Sequence, residues 1–274
     1  MKKKTNVSDI VITAILIVLL VITLLPLAIM VFTSLKDETQ ILQNFWGISW
    51  PLHFENYASA FDEIYRYFFN SLFVTVVTVL GILVVSIFAG YAFGKLVFPG
   101  RNGLFLAVMG FKMVPTGLLI IPMFINILAF NLDNNYFGVI LPNIATGSVV
   151  ATMLARSFFM QIPDDIFEAA RIDGAGELDL LSKILIPLSK PIIGTIAVMN
   201  FFTYFNQYML PYIVLSDDSI KTIPIGIAKL AGENGVNFGL QTAGYTLVAI
   251  PLVILFMCTS KIYVGGITSG AVKG

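Results

Sequence analysis

Charge is scarce in this chain of 274 residues: Asp, Glu, Lys and Arg together make up 12%, against about a quarter in ordinary globular domains. Lys plus Arg number 16 and Asp plus Glu 16. The balance leaves no basic field to draw a polyanion, so nucleic acid is not expected as a partner. Cys258 is the single cysteine and His53 the single histidine. One thiol builds no disulfide frame, and no Cys/His/Asp cluster has metal-ligand spacing. Cys258 sits in an apolar run and reads as a small buried hydrophobe. His53 reads as solvated or as part of an interfacial belt. The acids Asp164, Asp165, Asp173 and Asp179 are loop charges rather than a matched acid/base pair. No GxxxxGK(S/T) phosphate loop occurs, so the chain itself is not expected to bind ATP. These absences argue against a catalytic constellation, a metal and any cofactor on this chain.

What is abundant is apolar surface. Hydrophobic residues reach 57%, with 23 Phe and 10 Tyr. A single core of this size cannot hide that excess, and a lipid bilayer is the simplest solvent for it. Six runs are long enough to cross one: 10–32, 69–93, 104–129, 137–156, 191–215 and 243–262. In lipid every backbone polar group must bond within its own segment, so the spans are expected to be helices. The first run follows Lys2-Lys3-Lys4 but exceeds the apolar region of a cleaved signal, and no small-x-small site follows it. Pro26, Pro115, Pro122, Pro142 and Pro251 interrupt the spans and predict kinks.

Orientation follows from the cations. With six crossings both ends share one side. Lys2, Lys3, Lys4, Lys95, Arg101, Arg156, Arg171, Lys183, Lys190, Lys261 and Lys273 fall on that side, against Lys36, Arg66, Lys221 and Lys229 on the other. The positive-inside bias therefore puts both termini in the cytoplasm. The segments 36–68 and 215–242 then face outward. The former carries Trp46, Trp50, Tyr57 and Tyr65, as a headgroup belt or a partner surface.

The cytoplasmic segment 157–190 is the most informative stretch. Pro163 suits a first helical turn, and Asp164 and Asp165 favour its positive end. Ile166, Phe167, Ala169, Ala170 and Ile172 predict one apolar face. Gly174 and Gly176 break the helix, and a second short helix is expected over 177–186, ending at Pro187. Small alanines permit close approach of another surface, and Glu168, Arg171 and Asp173 can orient it by charge. The segment reads as a docking peg.

Here the chain resembles a known family. Glu168-Ala169-Ala170, then Gly174, Ile184 and Ile186-Pro187 resemble the EAA motif of ABC importer permeases, with Ile186 where the pattern has Leu. The string from Glu168 to Glu177 is similar to the carbohydrate branch, in the maltose-transporter (MalG-like) subunit class. Phe54-Glu55-Asn56-Tyr57, Asn70-Ser71, Gly90-Tyr91-Ala92-Phe93, Phe98-Pro99-Gly100-Arg101 and the tail from Gly266 to Gly274 resemble further landmarks of that class, in order. Phe205 departs from it, standing where Trp is usual. The resemblance implies a single all-α permease domain over residues 1–274, with six transmembrane helices and type I importer architecture, in the cell (cytoplasmic) membrane. It also implies a heterodimer with a second permease, two separate ATPase subunits that hold the ATP and Mg, an extracytoplasmic solute-binding protein, and a carbohydrate as cargo. Glu168, Ala169, Ala170, Arg171, Asp173, Gly174, Ile184 and Pro187 would couple to the ATPase.

Polar residues within the spans are the remaining candidates. Lys112 lies nine residues into the third run, about 13 Å deep at a helical rise of 1.5 Å. It is either a contact for an anionic sugar or a structural ion pair with another chain. Asn143 and Thr146 on the fourth run, and Asn200, Thr203, Tyr204, Asn206 and Gln207 on the fifth, form a second set. The spacing of Asn200, Thr203 and Gln207 predicts one shared helical face. Phe201, Phe202, Phe205 and Tyr208 between them can stack on sugar rings. The plainer reading is hydrogen bonding between packed helices. An anionic derivative such as a uronate oligosaccharide or glycerol phosphate is the rival cargo, and a secondary carrier or channel without ATPase is the rival class.

Overall fold

The computed structural model describes residues 7–230 and 237–271. Lys2, Lys3, Lys4 and Lys273 lie outside them, as does the end of the tail from Val272. In chain order the elements are α1 (Val7–Ser34), α2 (Glu38–Gln43), α3 (Glu55–Lys95), α4 (Arg101–Gly110), a 3₁₀ turn Phe111–Met113, α5 (Thr116–Ala129), α6 (Tyr136–Phe159) and α7 (Asp164–Ile172). There follow α8 (Glu177–Asp179), a π-helical stretch Leu180–Leu185, α9 (Ile186–Leu188), α10 (Lys190–Phe205), α11 (Met209–Val214), a 3₁₀ turn Asp218–Ile220, α12 (Ile223–Leu230) and α13 (Phe238–Ala271). No strand occurs among the described residues. The all-α expectation holds.

The spans differ in detail from their prediction. Four helices are long and apolar enough to cross a membrane, and up to six if each of two bent pairs counts as one. The expected third span is broken, with a 100° bend between Arg101–Met113 and Thr116–Ala129. Pro115 stands at the bend as the N-cap of α5. Its missing N–H and the restriction it places on Val114 explain why the helix stops there. The expected fifth span is interrupted after Phe205, where α10 ends after 16 residues. Glu177–Leu188 meets α10 at 77°. By contrast α3 runs 41 residues, starting well before the predicted 69.

The chain forms two compact units, Met1–Tyr65 with Gly226–Val253, and Arg66–Ile225 with Ile254–Gly274. In the first, α1 buries none of its most apolar stretch against the rest of the chain. Its end is pinned by Asn56, whose Nδ2 donates to the carbonyls of Ser34 and Lys36, both at 3.0 Å. Tyr57 Oη shares a 2.6 Å hydrogen bond with Ser34 Oγ. Lys36 is buried, and its Nζ donates to the carbonyls of Asn44 and Phe45. Asp37 caps α2, its side chain accepting from Gln40 N at 2.7 Å while Gln40 Oε1 accepts from Asp37 N. His53 is not freely solvated: it lies 2.5 Å from Glu55 and 3.5 Å from Asp37.

In the second unit, two apolar clusters hold the helices. One joins Val74 of α3, Ile127 of α5, Val139 and Ile140 of α6, and Leu210 and Val214 of α11. The other joins Tyr91, Ala155, Phe159, Phe167, Leu180, Leu185 and Ile196, and so ties segment 157–190 to α3, α6 and α10. At Gly90 an added Cβ would stand 2.7 Å from Ala155 Cβ, so glycine is what lets α3 and α6 approach. Cys258 is exposed, contrary to the buried reading. An apolar run in lipid does not need protein to cover its thiol.

Candidate functional site

Segment 157–190 folds as a short helix, a glycine turn and a second helix. Pro163 is the N-cap of α7, and Asp164 and Asp165 occupy its first turn, where acid complements the helix dipole. The turn that follows is fixed by Gly174 at φ +87°, a left-handed conformation that glycine adopts without a Cβ penalty. Ala175 N then donates back to Ala170 O. The second helix is π-helical over Leu180–Leu185, two residues before Pro187. A proline lacks the N–H for an α-helical bond to the fourth preceding carbonyl and crowds that carbonyl, and a widened turn accommodates both.

The expected single apolar face is split. Phe167 is buried at 3% exposure and Ala170 is half-buried, whereas Ile166, Ala169 and Ile172 are exposed. On a helix, positions 166, 169 and 172 form one stripe and 167 and 170 a neighbouring one. The inward stripe fastens the peg and the outward stripe is free to meet another surface. Glu168, Arg171, Asp173 and Gly174 are exposed beside it, Ile184 is half-buried against the core and Pro187 is exposed.

Four residues that fasten this segment, Tyr91, Lys95, Asp164 and Glu177, were not among the predicted site residues. Lys95, at the end of α3, has a side chain only 5% exposed and pairs with Asp164 at 2.6 Å. Its Nζ also donates to Ile162 O at 2.5 Å and sits 5.0 Å from the Phe167 ring. Tyr91 Oη donates to Glu177 Oε2 at 2.5 Å, and Arg171 Nη2 donates to Glu177 Oε1 at 3.0 Å across the glycine turn. The Tyr91 hydrogen bond, which outweighs the opposing effect of burial, holds the Glu177 carboxyl below its usual range with help from Arg171. Arg171 was expected to orient a partner by charge, and it is engaged within the chain. The signal available in the sequence was the i, i+4 spacing of Tyr91 and Lys95 at the end of a span. Nothing local announced their partners, which lie 67 to 86 positions away.

The polar residues of the spans separate into two sets. Asn143 is 1% exposed and forms a reciprocal amide pair with Gln207. Its Nδ2 donates to Gln207 Oε1 at 2.6 Å, and Gln207 Nε2 returns a bond to Asn143 Oδ1 at 3.0 Å. Tyr204 Oη donates to the Asn143 carbonyl at 3.0 Å. The single face predicted for Asn200, Thr203 and Gln207 is incorrect, because α10 ends at Phe205 and Gln207 lies beyond it. Asn200, Thr203 and Asn206 instead bond back along the chain to the carbonyls of Ile196, Met199 and Phe202. Thr146 does the same to Pro142. Phe205 is buried and stacks on Phe201 at 5.6 Å. Lys112 stands in the 3₁₀ turn at the break of the third span and is exposed, so its depth cannot be counted as along a straight helix.

Helices long and apolar enough to cross a membrane, with segment 157–190 fastened to the end of one of them, are the marks of a membrane-spanning protein. The chain belongs to the family described as binding-protein-dependent transport system inner membrane component, whose pattern matches residues 86–265. It is therefore an inner-membrane permease subunit rather than an enzyme. It is 31% identical to the arabinooligosaccharides transport system permease protein AraQ of Bacillus subtilis, over 98% of this chain and 97% of that one. It is 30% identical to the trehalose/maltose transport system permease protein MalG of Thermococcus litoralis, covering 94% of each. Among solved structures, a subunit of a bacterial ABC transporter that imports the acidic polysaccharide alginate superimposes with a TM-score of 0.81 at 24% identity, covering 96% of this chain and 99% of that one.

Proposed function

We propose that this chain is one of two permeases of an ATP-driven carbohydrate importer, and that segment 157–190 is its coupling element. The carrying observation is the split of α7: a buried stripe locked to α3 and the core, and an exposed stripe of Ile166, Ala169 and Ile172 flanked by Glu168 and Asp173. A separate ATPase pair closing on ATP would draw this peg toward that of the sister permease and swing the spans between inward-open and outward-open. In this reading residues 1–274 form one permease domain, the bent pair Arg101–Met113 with α5 and the helix α10 beyond the loop complete six crossings, and both termini are cytoplasmic. An extracytoplasmic binding protein delivers the cargo; a second neighbour of similar fold is in complex with an "alginate pentasaccharide-bound periplasmic protein". An oligosaccharide as cargo is supported by relatives named for arabinooligosaccharides, diacetylchitobiose and trehalose/maltose. Family membership sets aside a gradient-driven carrier.

Along the substrate path the exposed candidates are Thr203, Asn206 and Lys112, with Asn200 half-buried beside them. Asn143, Tyr204 and Gln207, which satisfy one another, serve packing. Affinity purification of the complex tests the coupling role. Wild type should retain an ATPase subunit and Glu168→Lys should lose it; retention by Glu168→Lys, or no ATPase with wild type, rejects the reading.

A further inference from the structure

The loop is fastened to α3 at two separate points, and these points lie on different halves of the peg. Lys95 grips the first half through Ile162 O, Asp164 and the ring of Phe167. Tyr91 grips the second half through Glu177, which Arg171 joins back to the first. Tyr91 and Lys95 are four residues apart on one helix and therefore stand on one face, a turn apart. A single contact is a pivot about which a peg can rotate. Two contacts on separate arms, bridged by the Arg171–Glu177 ion pair, remove that freedom. The bonds themselves are of the stronger kind, since each has an ionised partner, and Lys95 is shielded from water.

We infer that Tyr91, Lys95 and Glu177 are positioning residues that make α3 move as one body with the coupling loop, so that motion imposed on the loop reaches the membrane through α3 as well as through the adjoining α6 and α10. This rests on the coupling reading above. α3 can transmit such motion because it is continuous for 41 residues, whereas α10 is short and meets the loop at a 77° bend. Close packing on α6 at Gly90 and Gly94 gives it a rigid neighbour.

The test places spin labels at Val84 of α3 and Ser182 of the loop, both exposed, in a Cys258→Ser background. Distances are read by pulsed electron resonance in the complex with its sister permease and ATPase, without nucleotide and trapped with ATP and vanadate. One narrow distance common to both states is expected. Tyr91→Phe and Glu177→Gln each remove only a hydrogen-bonding group; they should broaden the distribution and shift it between states, while ATPase remains bound. Lys95→Met should do the same and Lys95→Arg should restore the narrow peak. A wild-type distance that changes on trapping, variants that leave it narrow, or variants that release the ATPase would each overturn the clasp. Absence of ATPase from the wild-type complex would instead reject the coupling reading beneath it.

Discussion

Several short motifs that look arbitrary in the sequence are single-residue solutions to backbone bonding. Asn70 Nδ2 donates to the carbonyls of both Ser219 and Lys221 at 2.9 Å, and Ser71 Oγ accepts from Ile223 N at 2.8 Å. Two adjacent side chains thus pin the segment before α12. Asn56 does the same for the end of α1. Glycines stand where a side chain would clash. An added Cβ at Gly147 would meet the buried Ile82 Cδ1 and the hydrogen-bonded Tyr204 Oη, and one at Gly90 would meet Ala155 Cβ and the backbone N of Arg156. Gly90→Val should therefore destabilise the purified protein by about 1–3 kcal/mol, seen as a lower thermal midpoint in detergent. The Asn143–Gln207 pair gives a second prediction. Asn143→Leu or Gln207→Leu alone leaves one amide unpaired within the bundle and should cost about 1 kcal/mol. The double variant should recover most of that loss and transport normally. Transport lost in the double variant with stability intact would mean that the pair touches cargo.

At the scale of elements, segment 157–190 titrates in a defined sense. Glu177 has its carboxyl pKa lowered by Tyr91 and then Arg171, and Asp179 has its own lowered by Lys183. A lowered native pKa contributes stability that is complete above the unfolded value, about 4.3 for Glu, and disappears as pH falls through the native one. A spin label at Ser182 should stay immobilised from neutral pH down to about 5 and loosen below about 4. Glu177→Gln should be looser at neutral pH and show a smaller further change. The peg's existence was legible because proline, acid and glycine stand at the helix start, first turn and break. Its division into two stripes was not, because Ile166 and Phe167 are equally apolar and only the position of α3 decides which is covered. The spans were legible where hydropathy is continuous, as in α1. Breaks at Pro115 and after Phe205 were not, since a proline in an apolar run signals either a kink or a full turn of direction. The helical start of α3 before residue 69 was hidden by its polar composition, where Glu55 and Asn56 serve as anchors.

The whole molecule leaves two things for partners to complete. The stretch Ile10–Leu27 of α1 is about half exposed along its length and is not buried among the described residues, which leaves it for lipid or another subunit to cover. Lys112 makes no hydrogen bond or ion pair among the described residues, and it stands at the bend of a broken span between exposed Phe111 and Met113. A cation among apolar neighbours at the break of a span needs an acid or water facing it. Either the sister permease supplies that acid, or the cargo does. In the importer proposed above, the sister chain is the first alternative to test. Lys112→Met should then lower recovery of the two-permease complex, because it strands the facing acid, while uptake per assembled complex remains that of wild type. An anionic cargo predicts the reverse, with assembly unchanged and uptake per complex falling about tenfold or more, the ratio carried by about 1.4 kcal/mol. Added salt separates the two further. A solvated contact to cargo is screened over about 8 Å at physiological ionic strength, and a buried pair between subunits is screened much less. Insensitivity of complex recovery to salt, together with its loss on Lys112→Met, would identify the lysine as a joint between permeases.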